Sequence, residues 1–323
     1  MSKLKLTFAC GAYELFRPLI EGLVAPEGVD LNILTMPSPE RHARMTRHEE
    51  FDVCELSIGS YLLAWDIGRA MTAIPVFPHR RYRFRYIVKR MNCGIEKPSD
   101  LNGKRVGIYN FQNSAGLWMR GILQDHYGVD LKTIEWWCQH EEDIPVEAAE
   151  RMRVRCVPKG KHVDEMLLND ELEAAHNTEL LPSVRNGSPK VGPLFSNPKQ
   201  AELDYYQKSR IFPIMHTVVI KNEIWMKDPW VAVNLLQAFQ KSKEVCYDRM
   251  KNPRLLPLVW VEELMREQKA IFGPDPWPYN LKDNRGALET VVRYAFEQGL
   301  IKKMPTIEDL FVPASLQEIP RHE

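Results

Sequence analysis

Apolar positions along this chain switch between a spacing of two and a spacing of three to four, and each switch marks a predicted element. Residues 3–9, "KLKLTFA", alternate and predict a strand, followed by a turn at "CGAYE" and a helix from about Leu15. "GVDLNILTM" predicts a second strand, "HARMTRHEE" a polar helix, and "FDVCELS" a third strand. Ile58, Tyr61, Leu62 and Trp65 then recur at helical spacing, with Ser57 or Ser60 as the cap. After "AMTAIPVF", the stretch 81–88 reads at a period of two: Tyr82, Phe84, Tyr86 and Val88 on one face of a strand, Arg81, Arg83 and Arg85 on the other.

A second unit starts near "PSDLNGKRVGIYNF". A strand over 105–109 leads to Asn113 and Ser114, which cap a helix to about Tyr127, and "VDLKTIEWW" is a further strand. Residues 141–200 are polar, with a helical piece at "HVDEMLLND" and a strand near "AAHN". The apolar run "IFPIMHTVVIKNEIW" returns as a strand. A helix follows from Asp228–Pro229 to about Met250, then two more near 260–271 and 284–298, and a loosely held tail. Strands alternating with helices predict an α/β fold with a largely parallel sheet. The expected arrangement is two lobes: residues 1–90 plus 216–323, and residues 95–210. Two strand-like crossings, near 86–96 and 205–217, join them, and the cleft between lobes takes the ligand, outside the C-terminal ends of the strands.

The chain has 323 residues, is 44% hydrophobic and 27% charged, and balances 43 Lys+Arg against 43 Asp+Glu. That neutrality disfavours a nucleic-acid binder, which needs a broad basic surface. Basic charge is instead local. His79, Arg80, Arg81, Arg83, Arg85, Lys89 and Arg90 fall within thirteen residues, which suits a small anion, a nucleic-acid contact or a basic edge strand. No run of eighteen apolar residues predicts a membrane span, and the N-terminal stretch has too short an apolar segment for a signal peptide. A cytoplasmic location is therefore expected, with six scattered cysteines as free thiols. No dinucleotide fingerprint, phosphate loop or G-x-S-x-G elbow occurs. "WWCQHEED" gathers Cys138, His140, Glu141 and Glu142, but at no zinc-ligand spacing, and reads as a solvated loop with His140 or Glu142 lining the cleft.

"FDVCELSIGSYLLA", "AIPVFPHR", "DLNGKRVGI", "IFPIMHTVVI", "DPWPYNLKDNRGALE" and "YAFEQGL" resemble the 4,5-dihydroxyphthalate decarboxylase family. The resemblance spans nearly the whole chain and is weakest over 141–200. It implies a two-lobe type 2 periplasmic-binding-protein-like fold and a cofactor-independent aromatic decarboxylase; the reading adopted is a metal-independent decarboxylase of a hydroxylated aromatic acid. Where the family leads one to expect "FRHS", this chain has "YRFR" at 82–85, so that Phe84 replaces a histidine while His79 stands five residues earlier.

Decarboxylating a hydroxylated ring requires an anion clamp, a base for the phenol and an acid for the ring carbon. Arg81, Arg83 and Arg85 are candidate carboxylate clamps, with Arg81 or Arg83 favoured, because a planar guanidinium binds a carboxylate bidentately. Asn113 and Ser114 precede a helix whose free N–H groups form an anion site. Arg120, later in that helix, reads as a surface charge. His216, in an apolar strand at a crossing, and His79, at a strand end, are candidate proton carriers. Glu14 and Glu55, both at strand ends, are candidate bases or histidine-orienting groups. The rival function is a solute-binding protein that holds an aromatic or dicarboxylic anion without chemistry. Homo-oligomerisation is open on this reading.

Overall fold

The computed structural model describes residues 3–146 and 152–316; the tail expected at the chain end lies largely outside them. Eleven strands occur among the described residues: β1 Leu4–Cys10, β2 Val29–Thr35, β3 Val53–Ser57, β4 Met71–Ile74, β5 Ile87–Arg90, β6 Arg105–Ile108, β7 Glu135–Cys138, β8 Val154–Cys156, β9 Ala174–His176, β10 Val191–Pro193 and β11 His216–Lys221. The helices are α1 Arg17–Ile20, α2 Ser38–His48, α3 Ile58–Asp66, α4 Ser114–Tyr127, α5 Val163–Leu168, α6 Pro182–Arg185, α7 Pro198–Ser209, α8 Asn222–Lys227, α9 Trp230–Met250, α10 Val261–Phe272 and α11 Arg285–Glu297.

The strands form two sheets, ordered β2-β1-β3-β11-β4 and β10-β5-β9-β6-β7-β8. Each is parallel except where a returning strand enters. β11 runs antiparallel to β3 and β4, and β5 antiparallel to β9 and β10. The chain passes from the first sheet to the second between β4 and β5, and returns between β10 and β11. There Arg80 pairs with Ile214 in an isolated antiparallel bridge.

β3 and β11 lie inside the first sheet with helices over them, so they read as near-continuous apolar runs. Every residue of β3 is buried, as are His216–Ile220 of β11. Glu55 and His216 are the ionisable exceptions within those buried runs. On the second sheet, α4 packs against α11, with Trp118 edge-on to Tyr294 at 5.7 Å.

The two sheets approach where α3 starts. Gly59 faces the backbone of Gln112, and a Cβ there would overlap the Gln112 carbonyl oxygen. Ser114, at the head of α4, ties the approach together. Its hydroxyl donates to the Met215 carbonyl (2.7 Å), lies 2.7 Å from the Ser57 hydroxyl and accepts from Gly59 N (3.1 Å).

The strand expected over 81–88 is shorter than its pattern suggests. Phe84–Tyr86 is a turn of 3-10 helix, and β5 begins only at Ile87. Aromatic packing accounts for this. Phe84 is buried against Phe195 (5.0 Å) and Tyr205 (6.0 Å), whereas Tyr82 packs on Phe212 (5.0 Å). The tight turn sends Tyr82 and Phe84 to separate pockets, and of the three arginines only Arg83 is buried.

Candidate active site

A cavity of about 560 Å³ opens between the sheets. One wall comes from the first sheet and α2 (Ser38, His42, Ser57, His79, His216). The other comes from the second sheet and α4 (Arg83, Tyr109, Asn113, Ser114, His140, Thr178).

Strand register builds the first wall. In the antiparallel β3–β11 ladder, Ser57 lies opposite His216 and Glu55 opposite Val218. Glu55 and His216 are thus diagonal neighbours on one face, within reach of long side chains. The Glu55 carboxylate meets His216 Nδ1 through Oε1 and the Arg41 guanidinium through Oε2. Tyr13 donates its hydroxyl to Oε1 (3.0 Å), and the Gly11 N–H donates to Oε2 (3.0 Å). Burial alone would raise the Glu55 pKa. His216 and Arg41 outweigh it and hold the carboxyl well below its ordinary range. An ionised carboxylate only accepts hydrogen bonds, so Nδ1 of His216 carries the hydrogen and Nε2 is left for the cavity.

His79 sits beside this pair because its backbone carbonyl accepts from Met215 N (2.9 Å) and His216 N (3.2 Å). Its ring stands edge-on to His216 at 4.7 Å, and its buried Nδ1 has no partner. His42 stands edge-on to His216 at 4.9 Å from the other side. Burial first, and the neighbouring His216 ring second, hold both His42 and His79 well below the ordinary histidine pKa, so both are neutral imidazoles near pH 7. Burial also pushes the Tyr13 phenol far above its usual range, with Glu55 adding to the effect.

His42, Glu55 and His216 bring one ligand-type atom each to within 4.8 Å of the others, the sole such grouping among the described residues. Both oxygens of Glu55 are nevertheless engaged, one by a guanidinium. A dication there would lie against the Arg41 guanidinium and share its carboxylate with that cation.

On the opposite wall, Arg83 is buried, donates Nη1 to the Thr178 carbonyl (2.5 Å) and has an unpartnered Nε. Burial, then Arg81, lowers its pKa to about 10, so it stays cationic at neutral pH. Asn113 is the N-cap of α4, accepting from Gly116 N at 2.7 Å. Glu142 holds the loop before α4 by accepting from the N–H groups of Phe111 (2.5 Å) and Gln112 (2.9 Å).

Several expectations change. Of the arginine row only Arg83 reaches the cavity, while Arg81 and Arg85 are exposed. Arg80 is buried too, but its guanidinium is held by Asn284 and the Phe212 carbonyl, away from the cavity. Glu14 points outward and pairs with Arg17 at 3.1 Å, because Phe16 takes the core position of that turn and Tyr13 faces inward. Glu55 lies at the centre of the buried pair. Ser114 lines the cavity, yet its hydroxyl is committed to the tie between sheets. Arg120 is fully buried, stacked on Phe111 at 3.9 Å and bonded to Gln298 at 2.7 Å, and is not a surface charge. His140 lines the cavity, whereas Glu142 props the loop; Asp143, Thr178 and Glu179 add lining from the weakly matching region.

Sequence reasoning missed Arg41, His42 and Tyr13. The signal for α2 was present: Arg41, His42, Met45 and Thr46 are its buried positions, spaced as one helical stripe. An arginine in such a stripe marks a buried partner.

No protein-family model matches the chain. It is 31% identical over 326 residues to a 4,5-dihydroxyphthalate decarboxylase of Comamonas testosteroni, covering 98% of this chain and 99% of the relative. It is 33% identical over 214 residues to a 4,5-dihydroxyphthalate decarboxylase of Pseudomonas putida, covering 64% of this chain and 83% of the relative. Among solved structures it resembles the periplasmic aliphatic sulphonate binding protein SsuA of Escherichia coli, with a TM-score of 0.57 at 13% identity over 98% of this chain and 100% of the other. It also resembles the desulfurization enzyme DSZB, with a TM-score of 0.52 at 12% identity over 97% and 98%. These likenesses establish the two-lobe fold of type 2 periplasmic binding proteins and nothing more.

Proposed function

The chain belongs to the 4,5-dihydroxyphthalate decarboxylase family, and from that premise we propose that it removes one carboxylate from 4,5-dihydroxyphthalate or a close analogue without an organic cofactor. The observation that carries the reading is the oriented Glu55–His216 pair facing a cavity whose opposite wall presents a buried, incompletely bonded Arg83.

The chemistry suits these residues. A hydroxyl para to the departing carboxylate loses its proton, and the phenolate pushes electron density into the ring. The carbon bearing that carboxylate takes up a proton. The C–C bond then breaks, CO2 leaves, and the bonding pair restores aromaticity. The hydroxyl recovers its proton, so one proton is consumed per CO2 released. His216, held by Glu55, carries protons through Nε2, to and from the substrate. Arg83 binds the retained carboxylate as a charge-assisted pair, and the head of α4 faces the rest of the anion. The ring itself serves as the electron sink.

We place the reaction in the cytoplasm. Six free cysteines, four of them buried, suit a reducing compartment, and no helix among the described residues is long and apolar enough to cross a membrane.

The test is incubation of the purified protein with a panel of hydroxyphthalates and hydroxybenzoates, scoring CO2 and, from 4,5-dihydroxyphthalate, 3,4-dihydroxybenzoate. Stoichiometric release of both is expected. Tight binding of these acids with no CO2 would favour the solute-binding alternative.

A further inference from the structure

We propose that Arg41 is a positioning residue of this site: by taking one oxygen of Glu55, it lets the carboxylate orient His216 without locking a proton onto the ring. The inference rests on His216 being the proton carrier described above.

A lone buried carboxylate is costly, and an imidazole beside it is driven to stay protonated as its counter-ion. Such an imidazolium cannot accept a phenolic proton. Here Arg41 supplies the counter-charge. Its side chain is fully buried, and every arm is fixed: Nε donates to the Glu55 backbone carbonyl (2.9 Å), Nη1 to the Met36 carbonyl (2.6 Å), and Nη2 to the Ser38 hydroxyl (3.2 Å) and Glu55 Oε2. A guanidinium does not give up its proton in this range, so its compensation is permanent. The Arg41–Glu55 pair is neutral as a unit, yet Oε1 still aims the His216 ring. Of the other groups, Arg83 is the one fixed cation and stands across the cavity, on the opposite wall; those packed against the ring add no fixed charge. Tyr13 comes from the turn after β1, His42 from α2 and His79 from the loop after β4; the first is a neutral phenol and the other two are neutral imidazoles.

The experiment is an NMR titration of the His216 ring in the ligand-free, full-length protein, compared among wild type, Arg41→Met, Arg41→Lys and Glu55→Gln. In Arg41→Met the His216 midpoint is expected to move to higher pH by about one unit or more, as an uncompensated neighbouring carboxylate requires. In Glu55→Gln it moves to lower pH, because Arg41 then faces the ring alone. Arg41→Lys keeps the cation and moves it less than Arg41→Met. The acid limb of kcat/KM follows the midpoint. A folded Arg41→Met with lower Tm and an unmoved His216 titration overturns the proposal, since that is what a purely structural arginine would give. If Arg41→Met does not fold, an unmoved titration in Glu55→Gln overturns it instead. The titration needs no turnover. A protein that releases no CO2 but titrates as expected would fail the decarboxylase reading and leave this inference standing.

Discussion

The two walls of the cavity differ in how completely their polar groups are satisfied. On the first-sheet wall, Arg41, Glu55, Tyr13 and His216 engage one another and both Glu55 oxygens are taken, while His79 Nδ1 beside this network has no partner. On the opposite wall, Arg83 has a free Nε and spends Nη1 on a single backbone carbonyl. A closed network fixes geometry and protonation before any ligand arrives. An open one leaves hydrogen-bonding capacity for the ligand to complete. On the proposed function, the chemistry falls to the first wall and the grip to the second, and kinetic constants should divide accordingly.

The largest effect belongs to the closed wall. His216→Ala should lower kcat by ~10²–10⁴-fold, the usual share of a general acid–base group, with far-UV circular dichroism unchanged and KM shifted little. An equal rise in KM with kcat preserved would move His216 to the gripping side. On the open wall, Arg83→Ala removes a charge-assisted contact worth ~1.5–3 kcal/mol and should raise KM by ~10-fold or more. Wild-type KM in that variant would break the comparison.

A smaller effect is thermodynamic. His42 and His79 are depressed by burial, and His176, buried at the end of β9 in the second sheet, is lowered to about 3, also by burial first. Unfolded histidines bind a proton near pH ~6.5, whereas these folded ones do not. Their contribution is present above that value and is lost as pH falls towards the folded values, so the unfolded chain gains protons on acidification. Tm should fall progressively below pH ~6.5, and less steeply in His79→Gln than in wild type. A Tm flat from pH 7 to 5 would contradict neutral buried imidazoles. The smallest effect is expected at Arg81 and Arg85. Their Ala variants should keep kcat/KM within about twofold, since neither side chain lines the cavity and surface charges away from such features contribute little.

The alternation of strands and helices was legible because hydrophobic period is a local property. Glu55 and His216 were legible for a related reason: each interrupts an apolar run, and a buried strand tolerates an ionisable group only with a partner. What the sequence concealed was direction. Arg81, Arg83 and Arg85 read as one face only while the backbone is extended, and the packing of Phe84 and Tyr82, which turns the chain, depends on residues more than 100 positions away. Arg41 and Arg120 look like solvent charges because nothing adjacent in sequence predicts Glu55 for one or Phe111 and Gln298 for the other. "DNRG" matched as a motif, yet its Asn284 holds Arg80 rather than the cavity.

The contact of Gly59 with the Gln112 backbone sets a gauge. Together with the Ser114 tie, it fixes how far apart the gripping and proton-carrying walls stand, and hence the width of ring that spans them. A methyl group at that point is a shim between two rigid blocks. Gly59→Ala should widen the gap by forcing the Gln112 carbonyl back, costing turnover on single-ring diacids more than it costs the fold. Two-ring diacids should lose less, so the ratio of the two rates reads the gauge directly; an unchanged ratio in a folded Gly59→Ala protein would mean that the spacing is held elsewhere.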